Sequence, residues 1–354
     1  MRRLVILTTS LLLSKSEELN MNQFLPVWKN VLHTLQQVDA TGAAMMVLKE
    51  GQVVAESYTG YQSDEADARL IQNDTLFHLA SVRKTFIGFA VAYLIQKGTI
   101  ESLDLGIASF FPEMDSGILE GVTIRHLVTH THGLRLLNGE VEKEFRAGTS
   151  WAYRNIGVDL LSEIMKKASG RTIAEIVETE VLNPCGLKEI GWYDELDFRH
   201  VQVIRKESDP HWYTGNNVDG SQMNMYASVR DLARWGALHL NKGKIDEKQL
   251  LSREIFDYNT ILQSPTTLPE GYPKNGFFWF VQGESCDRTE IGEEVSKHSF
   301  QILGYTNVVL LVIPEHEIVA VRAFNNFGSP KGYDYLEDIR IFGDCVMGCL
   351  RHMS

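Results

Sequence analysis

The sequence predicts a mixed α/β fold of the α+β type. One antiparallel β-sheet is built from both ends of the chain and flanked by helices, with a mainly helical subdomain inserted between its halves. Three observations point to it. An amphipathic helix and a Val- and Met-rich hairpin stand near the start, short β-branched runs and a helix close the chain, and the stretch between reads as helices and loops.

Taken in order, Phe24 to Val38 carries apolar residues at Leu25, Trp28, Val31, Leu32, Leu35 and Val38, the spacing of a helix face. AAMMVLKEGQVVAESYTGY then reads as two strands joined by a Glu50-Gly51 turn. LFHLASVRKTFIGFAVAYLIQKG reads as a short lead-in and a strongly apolar helix that stops at Gly98. TIRHLVTH, VDLLSEIMKKASG and TIAEIVETEVLN have helical periodicity. SVRDLARWGALHLNKG is a further helix, with Ser228 as N-cap and Gly243 as C-cap. GFFWFVQ, VVLLVIP and EIVAVRAFN return to strand texture, Pro314-Glu315-His316 turning the chain between the last two, and a helix covers about Tyr333 to Leu350. The expected organisation is one domain over 21–354, with a sheet subdomain of about 21–75 and 272–354 and a helical subdomain of about 76–271. A cleft between the two is a favoured place for an active site.

Residues 1–20 stand apart. MRRLVILTTSLLLS has a basic start and an apolar stretch of signal-peptide length, but no small-x-small cleavage pattern follows. A weak export signal and an extension upstream of a start at Met21 both fit. The second is favoured, because the fold's own pattern begins just after it, and with it a cytoplasmic location over an exported one. The stretch is too short to cross a bilayer as a helix, and no later one reads as transmembrane.

A formal net charge of -12, without a concentrated basic patch, argues against nucleic acid as a partner. The four cysteines, Cys185, Cys286, Cys345 and Cys349, give neither a disulfide framework nor a zinc spacing.

The chemistry begins at Ser81-Val82-Arg83-Lys84. An i, i+3 pair at a helix start puts both side chains on one face, one turn apart. A serine hydroxyl is a poor nucleophile until a neighbour takes its proton, and a desolvated lysine can do so because burial lowers its pKa. The run after Lys84 is apolar nearly all round, so that helix is buried and Lys84 with it. Tyr153-Arg154-Asn155 adds a phenol able to hold or pass a proton and an amide able to orient a lysine or a substrate carbonyl.

Ser81-x-x-Lys84, Tyr153-x-Asn155 about seventy residues later, and a C-terminal hairpin resemble the class C β-lactamase and penicillin-binding-protein superfamily of serine hydrolases. TIRHLVTHTHGL, FRAGTSWAYRNIGVDLL, VLNPCGLKEIGW and MYASVRDLARWG are similar, in order and spacing, to segments that surround those motifs, so the likeness spans about residues 25–330. It implies the β-lactamase/transpeptidase-like fold and a reaction through an acyl-enzyme, with Ser81 as nucleophile and Lys84 assisting its deprotonation. Tyr153 is implied as acid or base, Asn155 as a substrate-orienting amide, and the Ser81 N–H as an oxyanion donor. The third motif departs from the family pattern. His298-Ser299-Phe300 stands where Lys-Thr-Gly or His-x-Gly is usual, which would make His298 the polar group and the Gln301 N–H the second oxyanion donor. Phenylalanine in place of the glycine favours esterase or D-aminopeptidase-like activity over efficient β-lactam turnover.

The expected partner is thus a small acyl substrate, an ester, amide or peptide, with no cofactor and no metal. His126, His130 and His132 superficially suggest zinc, but THTHGL aligns with a structural segment of the resembled family. Asp104, Glu113, Asp159 and Glu163 read as surface or capping residues. The alternative is a catalytically impaired relative that binds ligands on the same fold.

Overall fold

The structure is a computed structural model that describes residues 23–206, 209, 212, 214–283 and 289–351. The N-terminal segment 1–20 and Cys286 lie outside the described residues.

Helix α1 (Leu25–Gln37) leads into strands β1 (Gly42–Lys49) and β2 (Gln52–Gly60). Glu50 (φ 51°) and Gly51 (φ 74°) are both left-handed, as a two-residue primed hairpin turn requires. The helical middle holds α2 (Lys84–Gln96), α3 (Ile156–Ser169) and α4 (Val229–Leu240). The chain then supplies β3 (Phe280–Val281), β4 (Phe300–Leu303), β5 (Val309–Ile313), β6 (Ile318–Phe324) and α5 (Tyr335–Leu350). The six strands form one sheet in the order β3-β4-β5-β6-β1-β2, antiparallel throughout. It is assembled from both chain ends by the β1–β6 pairing, with Ala43 opposite Phe324 and Lys49 opposite Ile318.

Strands β5 and β6 are buried along their whole length because the sheet is covered on both faces. Helices α1 and α5 pack together, and α4 lies across β1, β5 and β6. Gly236 permits that close approach: a Cβ there would stand 2.6 Å from Val319 and 2.8 Å from Leu310. A polar tie runs through this layer. Arg322 of β6, fully buried, pairs with Asp338 of α5. Asp338 also accepts from Thr34 of α1 at 2.6 Å and from the Tyr333 hydroxyl at 2.9 Å.

Several elements are shorter than their apolar patterns. TIRHLVTH is helical only over Ile124–Val128, because His130 takes φ 57° and ends it. GFFWFVQ pairs only at Phe280–Val281; Phe278 takes φ 63°, and its N–H bonds to the Val128 carbonyl instead of a strand. Ser228 accepts from the Asp231 N–H as N-cap, but α4 stops at Leu240, before Lys242 and Gly243, both left-handed.

Candidate active site

Lys84 opens α2, preceded by a 3-10 turn over Ala80–Arg83 that carries Ser81. The helix is apolar on every side, and Trp235 of α4 locks its first turn, stacking on Phe86 at 4.1 Å and donating to the Thr85 hydroxyl at 2.9 Å. Ahead of Ser81, Ala80 is held at φ 45°, a left-handed conformation worth roughly 1–3 kcal/mol of strain in a residue with a Cβ. The surroundings fix it there. The Ala80 N–H donates to His78 Nδ1 at 3.2 Å, and Thr306 donates to the His78 carbonyl at 2.8 Å. Gly304 presses on the same segment: a Cβ there would lie 2.4 Å from the Leu79 carbonyl oxygen.

Lys84 is 1% exposed, and its Nζ is the centre of the cluster. It lies 3.1 Å from Ser81 Oγ, 2.7 Å from the Tyr153 hydroxyl and 3.3 Å from Asn155 Oδ1. Asn155 occupies the N-cap position of α3, where its side chain would ordinarily bond the helix's own N–H groups. It makes no such bond and turns to Lys84. Tyr153 is placed by its loop: the Ala152 N–H donates to the His130 carbonyl at 3.0 Å, and the His130 ring lies 4.4 Å from the phenol ring.

The electrostatics favour neutral forms. Burial holds Lys84 well below the usual lysine range, the adjacent Arg83 guanidinium lowers it further, and Asp159 opposes both. Burial pushes the Tyr153 phenol up, and the Ser81 hydroxyl draws it partway back. An amine whose charged form is disfavoured, beside a protonated phenol and a partly exposed hydroxyl, can accept one proton and pass another.

Of the six sequence-predicted site residues, Ser81, Lys84, Tyr153 and Asn155 therefore share one hydrogen-bonded cluster. His298 and Gln301 make no hydrogen bond to it among the described residues. His298 is exposed at φ 66° just before β4. Gln301 is fully buried, its amide donating to the Glu290 carbonyl oxygen, and β3 lies along this edge of β4 with Phe280 opposite Gln301. Phe300 turns into the core, its ring 5.1 Å from that of Trp279.

The three histidines serve separate local roles. His126 Nδ1 accepts from the Thr123 N–H at 3.1 Å, His132 Nδ1 from the Leu134 N–H at 3.0 Å, and His130 stacks on Tyr153. Sequence reasoning missed two charged residues here. Arg83 is 4% exposed, and burial pushes the Glu290 carboxyl up to about 8 while Arg340 opposes it. The all-round apolar helix was a signal for the first; nothing in the sequence marks the second. Among the described residues no helix is long and apolar enough to cross a membrane.

Comparison with known proteins gives the family. The chain is 52% identical over 329 residues to an uncharacterized protein of Alkalihalophilus pseudofirmus, covering 93% of this chain and 97% of that one. It is 24% identical over 326 residues to a D-aminopeptidase of Gluconobacter oxydans, covering 82% of this chain and 57% of that enzyme. In fold it matches the solved structure of EstCE1, described as a hydrolase with promiscuous acyltransferase activity. The TM-score is 0.71 at 16% identity, over 92% of this chain and 99% of that one. The Beta-lactamase family profile matches residues 29–341, so the chain belongs to that family, the β-lactamase and penicillin-binding-protein-like serine hydrolases.

Proposed function

We propose that this chain hydrolyses an ester, amide or peptide bond through an acyl-enzyme at Ser81. The observation that carries the proposal is the buried Lys84 amine bonded at once to Ser81, Tyr153 and Asn155. Lys84, uncharged, takes the Ser81 proton as Oγ attacks the acyl carbon, and the Ser81 N–H faces the developing oxyanion. Tyr153, kept protonated by burial, gives its proton to the departing group as the tetrahedral species collapses and regains one from Lys84. Water enters by the reverse relay and frees the acid. Asn155 holds the amine in register.

Ester and D-amino-acid peptide substrates are preferred over efficient β-lactam turnover. What supports this order is the D-aminopeptidase relative, aligned over four-fifths of the chain, and a third motif with Phe300 in place of its usual glycine. His298, exposed at the start of β4, then contacts the substrate rather than the hydroxyl. The Gln301 N–H serves as second oxyanion donor only if β3 gives way along that edge.

A screen of chromogenic esters, D-amino-acid anilides and nitrocefin on wild type and Ser81→Ala tests the reading. Turnover of an ester or anilide by wild type and none by Ser81→Ala is expected. A folded wild type inert to all three would favour the ligand-binding alternative, and nitrocefin turned over best of all would reverse the substrate order.

A further inference from the structure

Arg83 is a charged side chain without a structural explanation. It is 4% exposed, and its Nε and Nη1 find no hydrogen-bond partner among the described residues. Burying a guanidinium costs several kcal/mol unless it is paired, and arginine cannot shed its proton to escape that cost. The position is specific: the residue before Lys84, on the turn that carries Ser81. Asp159 is exposed on α3, one turn beyond Asn155, the residue whose side chain meets Lys84 Nζ.

We propose that Arg83 is a positioning residue whose fixed buried charge keeps Lys84 uncharged and ready to accept the Ser81 proton, with Asp159 supplying the opposing bias. The inference rests on Lys84 being the proton acceptor proposed above. Its physical basis is that two like charges in a water-poor site are not both tolerated, and the lysine is the one able to lose its proton. Around Lys84, burial and then Arg83 lower its pKa and Asp159 raises it, while Tyr153 and His130 are held neutral by burial. The other helical segments against α2, residues 173–177 and 253–260, contribute no group that perturbs Lys84 among the described residues. An arginine in this place therefore adds to burial in disfavouring the charged form of the helix-start lysine.

The test is the pH dependence of Ser81 modification by a fluorophosphonate, which needs no knowledge of the substrate. Wild-type labelling rises with pH to a plateau. In Arg83→Met the rise moves to higher pH by about one unit, so labelling falls up to about tenfold on the acid side of the wild-type rise and recovers at the alkaline plateau. Asp159→Asn moves the rise to lower pH. A lost packing contact would slow labelling at every pH and could not move two variants in opposite directions. Superimposed profiles for wild type and Arg83→Met, or a uniform loss without displacement, overturn the inference. Should Arg83→Met fail to fold, the exposed Asp159→Asn decides, and an undisplaced profile there is equally fatal. Wild type unlabelled at any pH overturns the Ser81–Lys84 reading itself, and this inference with it.

Discussion

Replacing Tyr153 by phenylalanine removes one oxygen from the candidate site and little else. The ring stays against His130 at 4.4 Å and Trp151 at 6.2 Å, so the loop keeps its packing. The bond lost is the 2.7 Å contact to Lys84 Nζ, which retains Ser81 and Asn155 as partners. Stability should fall by no more than about 0.5–1.5 kcal/mol, the net worth of one such bond. Catalysis should suffer far more. A positioned general acid contributes about 10²–10⁴-fold, or roughly 2.7–5.4 kcal/mol of barrier. The size of the loss depends on the leaving group. A p-nitrophenolate departs as a stable anion and gains little from proton delivery, whereas an anilide or an alkyl ester needs the proton. Steady-state kinetics on a matched p-nitrophenyl ester and anilide should therefore show kcat falling much more for the anilide, with KM nearly constant. Equal losses on both, or none, would refute the assignment of Tyr153 as the acid.

Three further outcomes follow from the surroundings. Asp338→Ala leaves Arg322 buried without its counter-charge and should cost about 3–5 kcal/mol in urea unfolding, whereas the double change Arg322→Met with Asp338→Leu should recover most of it. Gly304→Ala forces a methyl group to within 2.4 Å of the Leu79 carbonyl oxygen; besides about 1–3 kcal/mol of stability, kcat should drop as the turn carrying Ser81 moves. The Glu290 carboxyl titrates near 4.5 in the unfolded chain but is raised to about 8 in the fold, so the unfolded state loses its proton first and stability declines as pH rises from 4.5 to 8. Melting temperatures of Glu290→Gln should decline less over that window, and an unchanged slope would show that Glu290 does not titrate as described.

What could be read from the sequence is what leaves a periodic or chemical mark. The α1 face, the Glu50-Gly51 hairpin and the Val- and Ile-rich runs of β5 and β6 are patterns of spacing, and they fold as their spacing directs. Apolar runs interrupted by a left-handed residue are overread, because nothing in GFFWFVQ or TIRHLVTH announces that Phe278 or His130 will take a positive φ. The Ser81, Lys84, Tyr153 and Asn155 cluster was accessible because its members sit in two short motifs whose chemistry is mutually dependent. The third motif was not. Phe300 stood where the motif's glycine is usual, and in the fold its ring packs on Trp279. The apolar helix that follows Arg83 hinted at its burial, but nothing local marked Glu290, whose surroundings are decided by tertiary packing.

The central claim is that Ser81 becomes covalently acylated during turnover with Lys84 as its proton acceptor. Acid-quenched intact-mass and peptide-mapping measurement, taken within the first turnovers of an activated p-nitrophenyl ester, tests it most directly. The account requires one acyl group on the peptide containing Ser81, absent from Ser81→Ala and strongly diminished in Lys84→Met. An acyl group mapped to another residue, or product release with no adduct at any quench time and no burst, would contradict it.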